Sequence, residues 1–186
     1  VEENGVLKLT STSARHYFIR SNYTGDNYVV EVDINRRTSD SGVSAITARF
    51  TDSSNFYRLG YRHNTDELVI DRRVGGSWND LSSPVAGPYG PNIWYHVKAY
   101  LLNSDLKVQI NGDETTASDT SFTSCYAGLT SYDGPTWFDN FRVRKYTDPE
   151  PTVRIGNVEK HPLVINWEYP TRRVIRIKEK SGKNLK

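Results

Sequence analysis

Apolar residues recur at every second position along most of this chain, a period that builds β-strands with one buried face and leaves little room for amphipathic helices. In Tyr28-Val29-Val30-Glu31-Val32-Asp33-Ile34, residues Tyr28, Val30, Val32 and Ile34 fall on one face, with Glu31 and Asp33 on the other. Ser44 to Phe50 groups Ile46, Ala48 and Phe50, and Phe56 to Arg62 separates Tyr57, Leu59 and Tyr61 from Arg58 and Arg62. Glu67 to Arg73, Ile93 to Leu102, Leu106 to Ile110 and Trp137 to Lys145 continue the series. Turn residues punctuate it, among them Thr24-Gly25-Asp26-Asn27, Asp52-Ser53-Ser54-Asn55, Asn111-Gly112-Asp113 and Tyr132-Asp133-Gly134-Pro135. Short strands spaced by such turns predict an all-β, antiparallel two-sheet jelly-roll sandwich. Asn79 to Asn92, with Pro84, Pro88 and Pro91, reads as one long loop.

This pattern holds through residue 146 and then changes, which divides the chain into a jelly-roll domain (1–146), a Pro-containing extended linker (147–162) and a basic β-forming tail (163–186). Charge follows the same division. Residues 1–150 carry 15 Lys+Arg against 19 Asp+Glu, net −4, and residues 151–186 carry 9 against 3, net +6. The tail's cations alternate with Val, Ile and Tyr, which describes a strand with one solvated face and not a nucleic-acid arm. No apolar run approaches the ~18 residues of a spanning helix, so no membrane span is expected in this segment. The single Cys125 can form neither an internal disulfide nor a zinc cage. With no Met in the chain, Val1 reads as a processed, trimmed or internal start.

Several segments together resemble the concanavalin A-like lectin/glucanase superfamily, in its laminin-G-like branch. The resemblance is carried by Glu3-Asn4-Gly5-Val6-Leu7-Lys8-Leu9, by Tyr28 to Ile34, by the hairpin Ala48-Arg49-Phe50-Thr51-Asp52 with Asn55 to Tyr61, and by Trp94 to Tyr100. Leu106 to Gly112, Ala127-Gly128-Leu129 and Phe138 to Val143 complete it over residues 3–146. In the tail, Asn166-Trp167-Glu168-Tyr169, Arg173-Val174-Ile175-Arg176-Ile177 and Ser181-Gly182-Lys183-Asn184-Leu185 resemble the opening of an uncharacterised repeat module of archaeal and some bacterial surface proteins. These resemblances imply a piece of a longer extracellular surface protein.

Glycoside hydrolases of the laminarinase type, in the same superfamily, set two glutamates on one strand about 5–5.5 Å apart. Here Glu31 and Asp33 supply the first half of that motif, but Asn35 and Arg36 occupy the place of the second glutamate. No general acid remains for the leaving oxygen, so the chain is expected not to be an enzyme. Cys125 has no motif relation to His16, His63, His96 or His161 and is expected to be a small buried residue. Alternation along Trp137, Asp139, Phe141 and Val143 turns Asp139 inward, where a carboxylate needs a partner. The resemblance to calcium-binding jelly rolls makes a structural Ca²⁺ held by Asp139, Asp133 and Glu3 one option, and hydrogen bonding to backbone or arginine the other.

Sugar recognition combines flat aromatics with planar polar groups. Trp78, Tyr89, Tyr132 and Trp137 lie in or beside predicted loops, while Arg49, Arg58 and Arg62 share a non-core parity and can join Asp71 and Asn79 in a binding surface. Asn22-Tyr23-Thr24 is an N-glycosylation sequon. The expected function is a non-catalytic adhesion or carbohydrate-binding module at the cell surface, with glycans or cell-surface components as partners and no nucleic acid. The alternative is a structural subunit of a surface filament or layer, self-associating through donation of the strand Arg173, Val174, Ile175, Arg176 and Ile177 to a neighbour's open edge.

Overall fold

The structure, a computed structural model, describes residues 2–3, 5–10, 16–39 and 41–149. The chain divides into two compact units, Val1–Pro151 and Thr152–Lys186. The second unit, which holds the segment Arg173 to Ile177 expected to form a donated strand, lies outside the described residues.

Fourteen strands and no helix make up the described part: β1 (Glu2–Glu3), β2 (Val6–Leu9), β3 (His16–Gly25), β4 (Tyr28–Arg36), β5 (Val43–Asp52), β6 (Asn55–Arg62), β7 (Glu67–Val74), β8 (Ser77–Asp80), β9 (Val85–Ala86), β10 (Trp94–Leu102), β11 (Asp105–Ile110), β12 (Asp113–Ser118), β13 (Cys125–Tyr132) and β14 (Thr136–Lys145). They form two antiparallel sheets packed as a sandwich. The first has the order β1-β2-β14-β4-β10-β11-β12, and the second β3-β13-β5-β6-β7-β8 with β9 paired to β7. Among the described residues, every strand expected from alternation is present. β3 and β12 were not expected: β12 reads Asp-Glu-Thr-Thr-Ala-Ser and carries almost no apolar signal, and β8 and β9 fall inside or against the stretch read as one loop.

The core is the set of inward faces that the alternation names. Val30, Val32 and Ile34 of β4, Val97, Ala99 and Leu101 of β10, and Val108 and Ile110 of β11 meet Ile46, Ala48, Leu59, Leu68 and Ile70 of the second sheet, all buried. Burying one such side chain stabilises the fold by roughly 1.5–3 kcal/mol before the ordering entropy is subtracted. An aromatic group of Tyr61, Tyr89 and Tyr95 closes one end of the sandwich, with ring centroids 5.4–5.7 Å apart.

Register shifts break the period of two in β14 and β5, and another separates the β3–β13 pairs at Tyr126 and Gly128. In β14 the register with β4 shifts between Asp139 and Arg142, and Asn140 sits at φ 54°. A bulge inserts one residue and exchanges the faces beyond it. Thr136 and Phe138 therefore face inward before the bulge, and Phe141 and Val143 pack on the core after it. In β5 the register with β6 shifts after Ala48, and Arg49 sits at φ 48°.

Candidate functional site

The site is built on the outer face of the second sheet. Because Tyr57, Leu59 and Tyr61 point into the core, alternation sends Arg58, Gly60 and Arg62 to the opposite face of β6. Cross-strand pairing then sets the rows. Thr47, Arg58, Asp71 and Asp80 form one row, Thr130, Ala45, Gly60 and Val69 the next, and Tyr132, Val43, Arg62 and Glu67 a third. The middle row is short because it must be: a Cβ on Gly60 would lie 2.5 Å from the Cβ of Ala45 and also against the Ser44 carbonyl. Over this floor lies a cleft of about 430 Å³ lined by Ser41, Val43, Arg58, Arg62, Asn64, Thr65, Trp78 and Tyr132.

Four charged side chains alternate in sign beside the cleft. Arg58 donates from Nε to Asp71 Oδ2 at 2.8 Å and from its terminal nitrogen to the same oxygen. Arg62 donates to Asp71 Oδ1 at 2.7 Å and to both oxygens of Asp80, one at 3.2 Å. Exposure of these side chains rises along the chain of charges, from 1% at Asp71 and 8% at Arg58 to 22% at Arg62 and 57% at Asp80. Burial pushes the Asp71 carboxyl up against the pull of its two arginines, and burial lowers Arg58. Asp80 is held below the usual carboxylate range by Arg62. The indole of Trp78 stacks on the Arg58 guanidinium at 4.0 Å and meets the edge of Phe56 at 5.5 Å, which fixes both planar groups.

Of the residues expected to bind a ligand, Trp78, Tyr132, Arg58 and Arg62 come together in this cleft. Tyr89 does not. Its ring is fully buried among Tyr61 and Tyr95, with the hydroxyl donating to Asp113 Oδ2 at 3.0 Å, because the 79–92 stretch folds back over the core. Trp137 lies on the outer face of the first sheet, its ring between Lys8 at 4.5 Å and Arg37 at 4.1 Å, so it shares no surface with Trp78. Arg49, expected beside Arg58, is turned away by its bulge; its buried guanidinium donates to the carbonyls of Phe122, Asp26 and Asn103. Asn79 alternates away from Trp78 and Asp80. Asp80 was missed, although the step from Trp78 to Asp80 along β8 puts both on one face.

The expected inward Asp139 is corrected by the bulge. Asp139 pairs with Asp33 on the outward side of β4 and accepts from the Asn140 N–H at 2.7 Å. Asp133 sits in the β13–β14 turn at φ 51°, its carboxylate accepting from Ser41 Oγ at 3.2 Å, and the Glu3 side chain lies outside the described residues. No three His, Cys, Asp or Glu among the described residues are grouped to hold a metal ion. Cys125, expected to be buried, is half-buried at the start of β13 and free. Asn22 of the sequon is exposed on β3, an edge strand.

Glu31 and Asp33 face outward from the first sheet. Lys98 at 3.2 Å and Arg144 at 3.7 Å flank Glu31. Asp33 Oδ1 lies 2.6 Å from His96 Nδ1, and its Oδ2 accepts from Asn140 Nδ2 at 2.7 Å. Arg36, in the place of the second glutamate, is buried and donates to the carbonyls of Tyr132 at 2.9 Å, Gly134 at 3.4 Å and Asp133; burial brings its guanidinium down to about 10. A larger hollow of about 530 Å³, against Tyr100, Leu102, Lys107, Thr116 and Tyr146, contains none of the expected site residues.

The sequence model of the 3-keto-alpha-glucoside-1,2-lyase-like domain matches residues 1–144. The chain belongs to that family. No curated protein matches it significantly. Among solved structures, the carbohydrate-binding module CBM66 from Bacillus subtilis is 20% identical at a TM-score of 0.67, with 76% of this chain and 96% of that one covered. A Bacillus subtilis protein of unknown function with a galectin-like fold is 14% identical at 0.62, covering 76% and 83%. A toad ovary galectin solved with thio-digalactose is 13% identical at 0.55, covering 71% and 100%. At these identities the likeness shows the fold alone: an all-β, antiparallel two-sheet jelly-roll sandwich, as expected from the sequence.

Proposed function

We propose that the cleft on the outer face of the second sheet binds carbohydrate and that the domain serves as a non-catalytic, extracellular glycan-binding module. The observation that carries this reading is the cleft's lining: two aromatic side chains, Trp78 and Tyr132, with two guanidiniums, an amide and two hydroxyls between and beside them. A sugar offers the complementary surface, with apolar C–H faces for the rings and hydroxyls for the planar polar groups. Asp71 and Asp80 hold the guanidiniums in place, so little side-chain freedom is lost on binding. The carbohydrate-binding module and the galectin among the similar folds support the reading. A glycan array, followed by calorimetry on the glycan it selects, tests it. Trp78→Ala and Arg62→Gln are each expected to weaken binding by about tenfold or more, close to 1.4 kcal/mol. A blank array, or affinity unchanged in both variants, overturns it.

The family description favours a second reading, a lyase acting on 3-keto-α-glucosides. Such a reaction needs a base for the proton on C2, which the neighbouring carbonyl acidifies, and then loses the substituent on C1. His96 is 55% exposed on the outer face of the first sheet, and Asp33 at 2.6 Å from Nδ1 orients a ring that could serve as that base. Incubation with a 3-keto-α-glucoside decides the matter: release of the C1 substituent, lost in His96→Gln, supports this reading, and no release ends it.

A further inference from the structure

Resting on the glycan-binding reading, we infer that the cleft selects uncharged glycans over anionic ones and that Asp80 sets this preference. Two guanidiniums in the lining invite the opposite conclusion, since arginine pairs well with carboxylate and sulfate. The alternating charges decide against it. Arg58 gives two hydrogen bonds to Asp71, and Arg62 spans Asp71 and Asp80, so two positive charges face two negative ones within hydrogen-bond distance. Apart from the arginines, the lining is uncharged.

An anionic group brought to Arg62 meets the Asp80 carboxylate at a comparable distance, so the gain from one is offset by the repulsion of the other. Displacing Asp80 from Arg62 exchanges one ion pair for another and leaves a carboxylate without its partner. A hydroxyl faces no such conflict. It accepts from a guanidinium N–H and donates to a carboxylate oxygen, so it can use both members of the Arg62–Asp80 pair at once, whereas a carboxylate or sulfate has only acceptors to offer. Asp71 is buried behind the two arginines and cannot vary its contribution with the ligand; Asp80, 57% exposed, stands just outside the lining on the guanidinium of Arg62, so a group that reaches Arg62 comes within range of its charge. Sequence position explains its reach. Asp80 follows Trp78 by two residues on β8, so carboxylate and indole rise from the same face of one edge strand.

The test uses an array that carries neutral oligosaccharides alongside their sulfated and uronate forms on the same scaffolds, read with the intact chain and with Asp80→Asn. The substitution is nearly isosteric and the side chain is exposed, so the fold is expected to persist. The intact chain should bind neutral forms about tenfold or more tighter than their acidic counterparts, with little change in affinity as salt is raised. Asp80→Asn should shrink that ratio about fivefold or more by improving acidic binding, and should make the new binding salt-sensitive. Tighter, salt-sensitive binding of acidic forms by the intact chain overturns this inference and leaves the binding reading standing. An unchanged neutral-to-acidic ratio in Asp80→Asn also overturns it. Silence toward every form, neutral and acidic, removes the binding reading itself.

Discussion

Asp71 is the residue whose loss the fold should feel most sharply outside the apolar core. Its side chain is 1% exposed and accepts from Arg58 on one oxygen and from Arg62 on the other. Asp71→Asn keeps the shape but removes the charge, leaving Arg58, 8% exposed, without its hydrogen-bonded anion and with only the more distant charge of Asp80, while Arg62 retains its bonds to Asp80. Breaking a buried pair from one side costs about 3–5 kcal/mol, because the partner stays desolvated and uncompensated. Arg58→Met is expected to cost less, about 2 kcal/mol, since Asp71 keeps its bond from Arg62 and Met fills the space under Trp78. The double variant removes both charges at once, so its cost should fall below the sum of the two by more than about 1 kcal/mol. Urea unfolding followed by tryptophan fluorescence measures all three, and in thermal melts Asp71→Asn should lower Tm by about 10 °C, at roughly 2–4 °C per kcal/mol for a chain of this size. Additive costs, or a loss under about 1 kcal/mol for Asp71→Asn, would refute the argument that these charges are coupled in a dry site.

Tyr28→Phe removes the buried hydroxyl oxygen that accepts the Arg49 backbone N–H at 2.7 Å and should destabilise the domain by about 1–3 kcal/mol, measured by urea unfolding. Gly60→Ala forces a methyl against Ala45 and the Ser44 carbonyl at the cleft floor; overpacking should cost about 1–3 kcal/mol and lower Tm accordingly. His63 is pushed down to about 3 by burial, with the Arg36 charge adding to it. The folded state therefore stays unprotonated while the unfolded chain takes up a proton near its usual pKa of about 6.5. Stability from this group is complete above about pH 6.5 and is lost as pH falls toward 3, by up to about 1.4 kcal/mol per pH unit. His63→Phe should flatten that part of the profile, and an unchanged slope would count against it.

Most of the sandwich was legible because strands have a period of two and the core obeys it: Tyr28 to Ile34 and Phe56 to Arg62 bury the residues their alternation names. Two of the misplaced residues, Asp139 and Arg49, share one physical origin. Asn140 and Arg49 both take left-handed backbone conformations at register shifts, and alternation carried across either point assigns the wrong face. Asp139 was drawn inward and Arg49 toward the cleft for that reason. An Asn in a strand is a weak bulge signal, and an Arg is none. Tyr89 was lost differently: proline and glycine mark its segment as loop, and only tertiary packing sends the ring under Tyr61. Arg58 and Arg62 share the outer face that their parity names because no bulge lies between them and Tyr57, Leu59 and Tyr61, whereas Trp78 stands out in the sequence only as an aromatic beside a predicted loop.

The four arginines of the second-sheet region and its neighbours show how one residue type is divided between structure and site. Arg49 and Arg36 give their donors to backbone carbonyls of the loops at the two ends of the sandwich, whereas Arg58 and Arg62 face carboxylates on the sheet surface. Arg36 belongs to the site indirectly. It holds the carbonyls of Tyr132, Asp133 and Gly134, and the same turn takes the Ser41 hydroxyl on Asp133 Oδ2, so the cleft wall formed by Ser41, Val43 and Tyr132 is built around one buried guanidinium. Gly42 has no room for a side chain because that guanidinium fills the space a Cβ would take. The arginine that stands where a hydrolase would need its second glutamate thus fixes the edge of a cleft on the opposite sheet. Arg36→Glu would set a carboxylate among three carbonyl oxygens and release the wall that positions Tyr132, so it is expected to loosen the cleft from the opposite sheet.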